Sequence, residues 1–469
     1  MSSPATPPFE LNRRTLLAAG AGLAAASLLP GAVQCEEREK RKKFLGITVL
    51  PEYVQSEGVE GLLENLIERV GANAVAVSPY VMAEADRSTG KREPPADAGA
   101  GGARLLDRPL WGKREVYVVT APSFTPEKRL YAGLRYQPAE ANELTRREGG
   151  VVARFVEAAK ARGLKVYFQV QAAIPPGYRV QFGGPQEEDQ PRLPDGRIPP
   201  RRLDKNGSLA SPHIRGYTEA LLRDLVTQYP AIDGVRVDWP EYPPYFLDDV
   251  FLDFSSPAQA AAERLGFDFE RMQTDAAAVY ARLHGRLADA DLKAWLREDG
   301  GRFELVRFAA DHPGMLDLLR FKAALVEELI AGFRRTLDDA AGPEMELMPN
   351  AFPPPWTLAS GMDFARIAPH STAISVKHYT MHWPMMLNFY AEQLLEANPG
   401  LSNKLLTQAL LKWLDMADDA GLPTAGDYRY PGPEEPHPVA VGWESGVHGI
   451  WINRYAYLSD AKLDAIGRL

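Results

Sequence analysis

The chain has 469 residues, 45% of them hydrophobic and 25% charged, enough for one large domain or two small ones. A formal net charge of -9 leaves neither a basic footprint for nucleic acid nor a polybasic patch for an anionic membrane. The single cysteine, Cys35, excludes an internal disulfide framework and a cysteine-ligated metal, so any core must be held by packing.

In chain order, the first expected element is not part of the fold. Asn12-Arg13-Arg14-Thr15-Leu16-Leu17 and the Gly/Ala-rich apolar run after it read as a twin-arginine export signal over residues 1–35. That run is too short for a good membrane span, so no stable span is expected once it is cleaved near Ala32 to Cys35. The expected partner is the twin-arginine export machinery and the expected place periplasmic or extracellular, with a lipid anchor at Cys35 as the lesser alternative. Residues 36–43 read as a charged linker.

From residue 44 to 469 strand and helix patterns alternate, which predicts parallel strands with covering helices. Strands are expected at 44–50, 72–77, 164–171, 232–238, 345–350, 373–379 and 449–455. Helices are expected at 59–70, 151–162 and 212–229, the last capped by Ser211 with Pro212 in its first position. Several strands are apolar on one face and polar or aromatic on the other. Val166, Phe168 and Val170 alternate with Tyr167, Gln169 and Gln171; Ile374 and Val376 with Ser375, Lys377 and Tyr379; Ile450 and Ile452 with Trp451, Asn453 and Tyr455. A (β/α)8 TIM barrel accounts for this, since inward side chains meet solvent at the carboxyl ends of its strands. A doubly wound sheet would carry a Gly-rich phosphate loop after the first strand, and LPEYVQSEG is no such loop. The stretch from Asp427 to Gly449 is short for a strand and helix, so the seventh unit is expected to be irregular. Insertions at about 81–148, 173–210 and 246–312 would all lie on the functional face, the first with a mobile ADAGAGGA tract.

The densest chemistry lies in IDGVRVDWPEYPP, residues 232–244. If Asp238 points inward, Gly234 and Arg236 share its face, and an Arg and an Asp side by side inside a barrel call for a solvated mouth. Arg236 would favour the ionised form of Asp238, fitting it as nucleophile, base or cation stabiliser. Glu241, between Trp239 and Tyr242, is placed for a raised pKa and general-acid duty. Glycoside hydrolysis requires that division. An Arg-Asp pair that merely fastens two strands, with Glu241 a solvated loop acid, is the plainer alternative.

Tyr53, Tyr80, Trp239, Tyr242, Tyr379, Trp383 and Tyr455 fall at or beyond predicted strand ends, where rings could stack on sugars. Arg236, Gln171, Asn350, Lys377, His378 and Asn453 could complete a carbohydrate pocket. The eight histidines are scattered, with His378 and His382 flanking a strand end, and neither HExxH nor GxSxG occurs. No metal or other cofactor is expected.

Gly234-Val235-Arg236-Val237-Asp238 resembles the fourth-strand motif of the α-amylase superfamily, which implies Asp238 as nucleophile supported by Arg236. Asp233-Gly234 through Asp238-Trp239 with Glu241-Tyr242-Pro243 resembles the chitinase signature, which implies Glu241 as acid, although chitinases carry an Asp where Arg236 stands. The run SPHIRGYTEALLRDLVTQYPAIDGVRVDWPEYPP is similar to the bacterial hypothetical glycosyl-hydrolase-like barrel proteins. These resemblances imply an exported barrel that hydrolyses a glycosidic bond in an oligo- or polysaccharide. The alternative is a carbohydrate-binding barrel without catalysis.

Overall fold

A computed structural model describes residues 44–95, 105–297, 301–377, 382–414, 416, 421–429 and 449–468. The expected export segment and linker therefore lie outside the described residues, as do the ADAGAGGA tract, His378 and Tyr379. The expected irregular unit between Asp427 and Gly449 lies outside them almost entirely.

Among the described residues ten strands follow in chain order: β1 (Phe44–Thr48), β2 (Ala74–Val77), β3 (Tyr80–Glu84), β4 (Lys91–Glu93), β5 (Val116–Pro122), β6 (Lys165–Gln171), β7 (Gly234–Asp238), β8 (Glu346–Ala351), β9 (Ser375–Val376) and β10 (Gly449–Ile452). Seven of them form one parallel sheet in the order β10-β1-β2-β6-β7-β8-β9. Each step from one neighbour to the next is a crossover in the same direction, as in a (β/α)8 barrel.

The contacts of Arg236 show that the sheet is rolled. From β7, Nη1 donates to Thr48 Oγ1 (2.8 Å) on β1 and Gln169 Oε1 (3.3 Å) on β6. Nη2 donates to Asn350 Oδ1 (2.8 Å) on β8, Ser375 Oγ (3.2 Å) on β9 and Asn453 Oδ1 (3.3 Å) just past β10. A side chain on a middle strand reaches both edge strands only when the edges curl toward each other. The chain is thus an α/β barrel of TIM type, with seven strands among the described residues.

Strand alternation stacks the interior in layers. Ala74, Ala76, Tyr167 and Met348 pack with Phe44 and Trp451 at the bottom. A Cβ on Gly46 would lie 2.5 Å from the Trp451 ring, so the inward position on β1 must be glycine there. The Arg236 layer comes next, its guanidinium 3.8 Å from the centre of the Trp451 ring. Asp238 and Gln171, adjacent in register, stand at the mouth. Val235 and Val237 face outward into the main apolar core with Leu221, Leu225 and Leu329 of the covering helices.

The helix Pro212–Gln228 is capped by Ser211 Oγ, which accepts from the amides of His213 and Ile214. The segment expected as a helix at 59–70 is an α-helix over Val59–Glu64 that widens to a π-turn over Asn65–Arg69. The first insertion is more ordered than its loop-like sequence suggests, because β3, β4 and β5 pair as an antiparallel sheet in the order β3-β5-β4. The third carries the helices Ser256–Leu265, Phe269–Leu283 and Asp289–Leu296. None of the described helices is long and apolar enough to cross a membrane.

Candidate active site

Asp238 ends β7, and the chain turns at once. Trp239, which precedes Pro240, has φ +51°, a left-handed conformation rare for a bulky side chain. Asn206 holds that turn, its Nδ2 donating to the carbonyls of Trp239 (2.8 Å) and Glu241 (2.9 Å). Removing the ring with or without the strain separates the two effects. Because left-handed backbone costs an L-residue about 1 kcal/mol, Trp239→Gly should be more stable than Trp239→Ala by roughly that amount. The usual Ala-over-Gly order in urea unfolding would show that the turn carries no strain.

The Asp238 carboxylate is 17% exposed and lies 2.6 Å from Lys377 Nζ, itself only 2% exposed. Asn350, whose Oδ1 is taken by Arg236, donates from Nδ2 to Asp238 Oδ1 at 3.4 Å. Burial alone would raise the Asp238 pKa, but the Lys377 ammonium, these hydrogen bonds and Arg236 together hold it below its ordinary value. Asp238 is an anion fixed at the barrel mouth.

Glu241 is fully buried. Its Oε1 accepts from the Phe352 amide (2.8 Å), and Oε2 lies 2.6 Å from Ser360 Oγ. Ser360 Oγ is also 2.9 Å from the Thr357 carbonyl, yet a hydroxyl has one proton. Both contacts are satisfied when Glu241 carries a proton and donates to Ser360, which passes its own on to Thr357. Burial pushes the Glu241 pKa up to about 7, against the pull of Lys377 and the hydrogen bonds. One carboxyl is thus held ionised, and the other titrates near neutrality.

Aromatic rings surround the pair. Lys377 Nζ lies 5.4 Å from the Trp239 ring centre and 5.3 Å from that of Phe352. His382 stacks on Phe352 (centroids 5.4 Å, interplanar angle 11°), and Tyr245 meets Trp239, Phe352 and His382 edge-on. Burial, then Lys377, holds the His382 pKa down to about 3, so this ring is neutral.

The structure thus brings Arg236, Asp238, Trp239, Glu241, Asn350, Lys377 and Asn453 into one connected cluster. Gln171 stands beside Asp238 in register, with a buried Oε1 that has no hydrogen-bond partner. Four tyrosines lie apart from it. The Tyr242 hydroxyl donates to Asp253 (3.1 Å), Tyr53 to the Arg108 carbonyl (3.0 Å), Tyr80 to Glu52 (3.0 Å) and Tyr455 to Glu57 (2.9 Å). Tyr455 leaves the inward face because β10 ends at Ile452, and it sits in a 3-10 turn where the period of two no longer applies. Trp383 packs against Trp356 (5.5 Å, T-shaped).

Sequence reasoning missed Ser360, Phe352 and Asn206, which reach the site across long chain separations and carry no local motif. It also missed a second carboxyl cluster beyond β1, where Glu52 is buried beside Glu93. Arg179 Nη2 bonds both Glu93 oxygens (2.6 and 2.5 Å), while Glu52 Oε1 has no partner. Burial, with the charge of Glu93 adding to it, pushes the Glu52 pKa up to about 7. Among the described residues no group of three or more His, Cys, Asp or Glu could hold a metal ion.

No family model matches the chain, and no curated protein matches it. Several solved glycoside hydrolases are similar to it at low identity. The β-galactosidase of the psychrophilic Marinomonas ef1 is 15% identical with a TM-score of 0.38, over 74% of this chain and 42% of that one. The β-galactosidase of Rahnella sp. R3 is 12% identical with a TM-score of 0.39, over 73% and 40%. The catalytic domain of the Paenibacillus polymyxa β-amylase is 10% identical with a TM-score of 0.37, over 91% of each chain. The chain spans less than half the length of those two β-galactosidases.

Proposed function

We propose that this barrel binds a carbohydrate at the carboxyl end of its strands and hydrolyses a glycosidic bond there. The observation that carries the reading is the placing of two carboxyls three positions apart in unlike surroundings, Asp238 2.6 Å from the Lys377 ammonium and Glu241 buried against Ser360 and the Phe352 amide. A fixed anion is what a developing oxocarbenium ion or an attacked anomeric carbon needs, and a carboxyl that titrates near neutrality is what a leaving oxygen needs. Trp239, next to the anion, offers a ring on which a sugar face could stack. The Arg13-Arg14 segment supports export by the twin-arginine route, which would place the substrate outside the cytoplasm.

Reducing-sugar release from α- and β-linked oligo- and polysaccharides is the test. Asp238→Asn should abolish turnover, and Glu241→Gln should lower it by about 10²–10⁴, the usual share of a general acid. Glutamine reproduces the hydrogen bonds of a protonated Glu241, accepting from Phe352 and donating to Ser360, so a lost rate would not reflect a lost fold.

A second reading is favoured by the full burial of Glu241, both of whose oxygens are engaged. Here the acid only ties the loop after β7 to the loop after β8, and the barrel binds carbohydrate without cleaving it. Sugar binding that survives both substitutions, with no turnover in the unaltered protein, would decide for it.

A further inference from the structure

Lys377 is buried on the strand side of the mouth, yet it was a candidate for touching substrate. Its ammonium is 2.6 Å from Asp238, which leaves that carboxylate only 17% exposed, and it is confined between the Trp239 and Phe352 rings. We propose that Lys377 is a positioning residue, which acts through Asp238 by fixing the carboxylate in place and keeping it charged, and does not contact the sugar. The proposal rests on the hydrolytic reading for its kinetic consequence, but the ion pair can be tested without turnover.

The charged and titratable groups around the ammonium come from every side. Asp238 is on β7, Glu241 on the loop beyond it, Asp204 on the insertion after β6, and His382 on the helix His382–Ala397, while Arg236 lies one layer below. Lys377 acts favourably on the anions of Asp238, Glu241 and Asp204 and unfavourably on a charged His382. Asn350 and Arg236 remain to support Asp238 when Lys377 is gone, but one is neutral and the other is shared among five oxygens. Without the ammonium, burial should dominate and Asp238 should take up a proton at higher pH.

The experiment compares Lys377→Met, which keeps the length and apolar packing, with Lys377→Arg, which keeps the charge. In the Met variant the acid limb of the pH-kcat profile should move up by at least one pH unit with KM little changed, and Arg should restore the limb. A raised KM with an unmoved limb would overturn the proposal, since that is the signature of a substrate contact. The measurement that needs no turnover is urea unfolding of Lys377→Met, Asp238→Asn and the double variant between pH 3 and 6. Asp238, with its depressed pKa, contributes stability above its ordinary value that is lost as pH falls. Asp238→Asn should lose that pH dependence, Lys377→Met should reverse it because the buried Asp238 then ionises less easily than in the unfolded chain, and the double variant should follow Asp238→Asn. Additive losses would show that Lys377 does not act through Asp238 and would also overturn the proposal. An absent turnover in the unaltered protein would instead count against hydrolysis alone.

Discussion

Replacing Arg236 with methionine is expected to cost about 3–5 kcal/mol of unfolding free energy, since a buried oxygen left without its hydrogen bond costs about 1–3 kcal/mol and several are affected together. Five oxygens on five different segments lose the guanidinium at once, and Thr48 and Asn350 among them are each only 1% exposed. The ring of Trp451 also loses the cation stacked on it. A domain of ordinary stability has about 5–15 kcal/mol in total, so the variant should be markedly destabilised. Arg236→Lys should fall between, since an ammonium keeps the charge but cannot span the same set of acceptors. Urea unfolding checks both, and a loss under about 1 kcal/mol in the methionine variant would mean the oxygens re-pair among themselves and the guanidinium is dispensable.

The second large effect is a decline in stability as pH rises through the mildly acidic range. Glu52 and Glu241 both move from an ordinary value of 4.5 to about 7 in the folded protein. Below pH 4.5 both are protonated whether the chain is folded or not, and neither costs anything. Between 4.5 and 7 the unfolded chain ionises first, so each group lowers stability as pH rises, and above 7 the loss is complete. At about 1.4 kcal/mol per pH unit, each contributes a loss of up to ~3 kcal/mol. The Glu52→Gln, Glu241→Gln double variant should therefore gain stability at pH 8 and change little at pH 4. Parallel pH curves for the two proteins in urea or thermal unfolding would show that these carboxyls ionise in the fold as easily as in the unfolded chain.

The barrel was legible because a strand buried on both faces but polar inside leaves an alternation that survives without an alignment. Gln169, Arg236, Ser375, Lys377 and Asn453 each occupy the inward position their strands predict; Gln169, Ser375 and Asn453 meet at Arg236, and Lys377 meets Asp238 one layer above. The aromatics were less legible. Tyr53, Tyr80 and Tyr242 do lie beyond strand ends, but a position past the last paired residue fixes no direction, and each hydroxyl found an acceptor elsewhere. Glu241 was read as partly desolvated by its neighbours Trp239 and Tyr242. Its burial comes instead from Phe352 and Ser360, more than a hundred residues along the chain, which no local pattern could supply.

The polar layer around Arg236 also bears on the order in which the barrel forms. Thr48 and Asn453 lie 188 residues before and 217 residues after the arginine, at opposite ends of the domain. Contacts so distant in sequence are slow to find, because the loops they close lose their freedom before the contact repays it. The guanidinium can be shared among its acceptors only once the first and last strands have come round to the same axis, so its full coordination belongs among the final events of folding. The loss in the methionine variant should then fall mainly on the unfolding limb of a chevron, leaving the refolding rate nearly untouched.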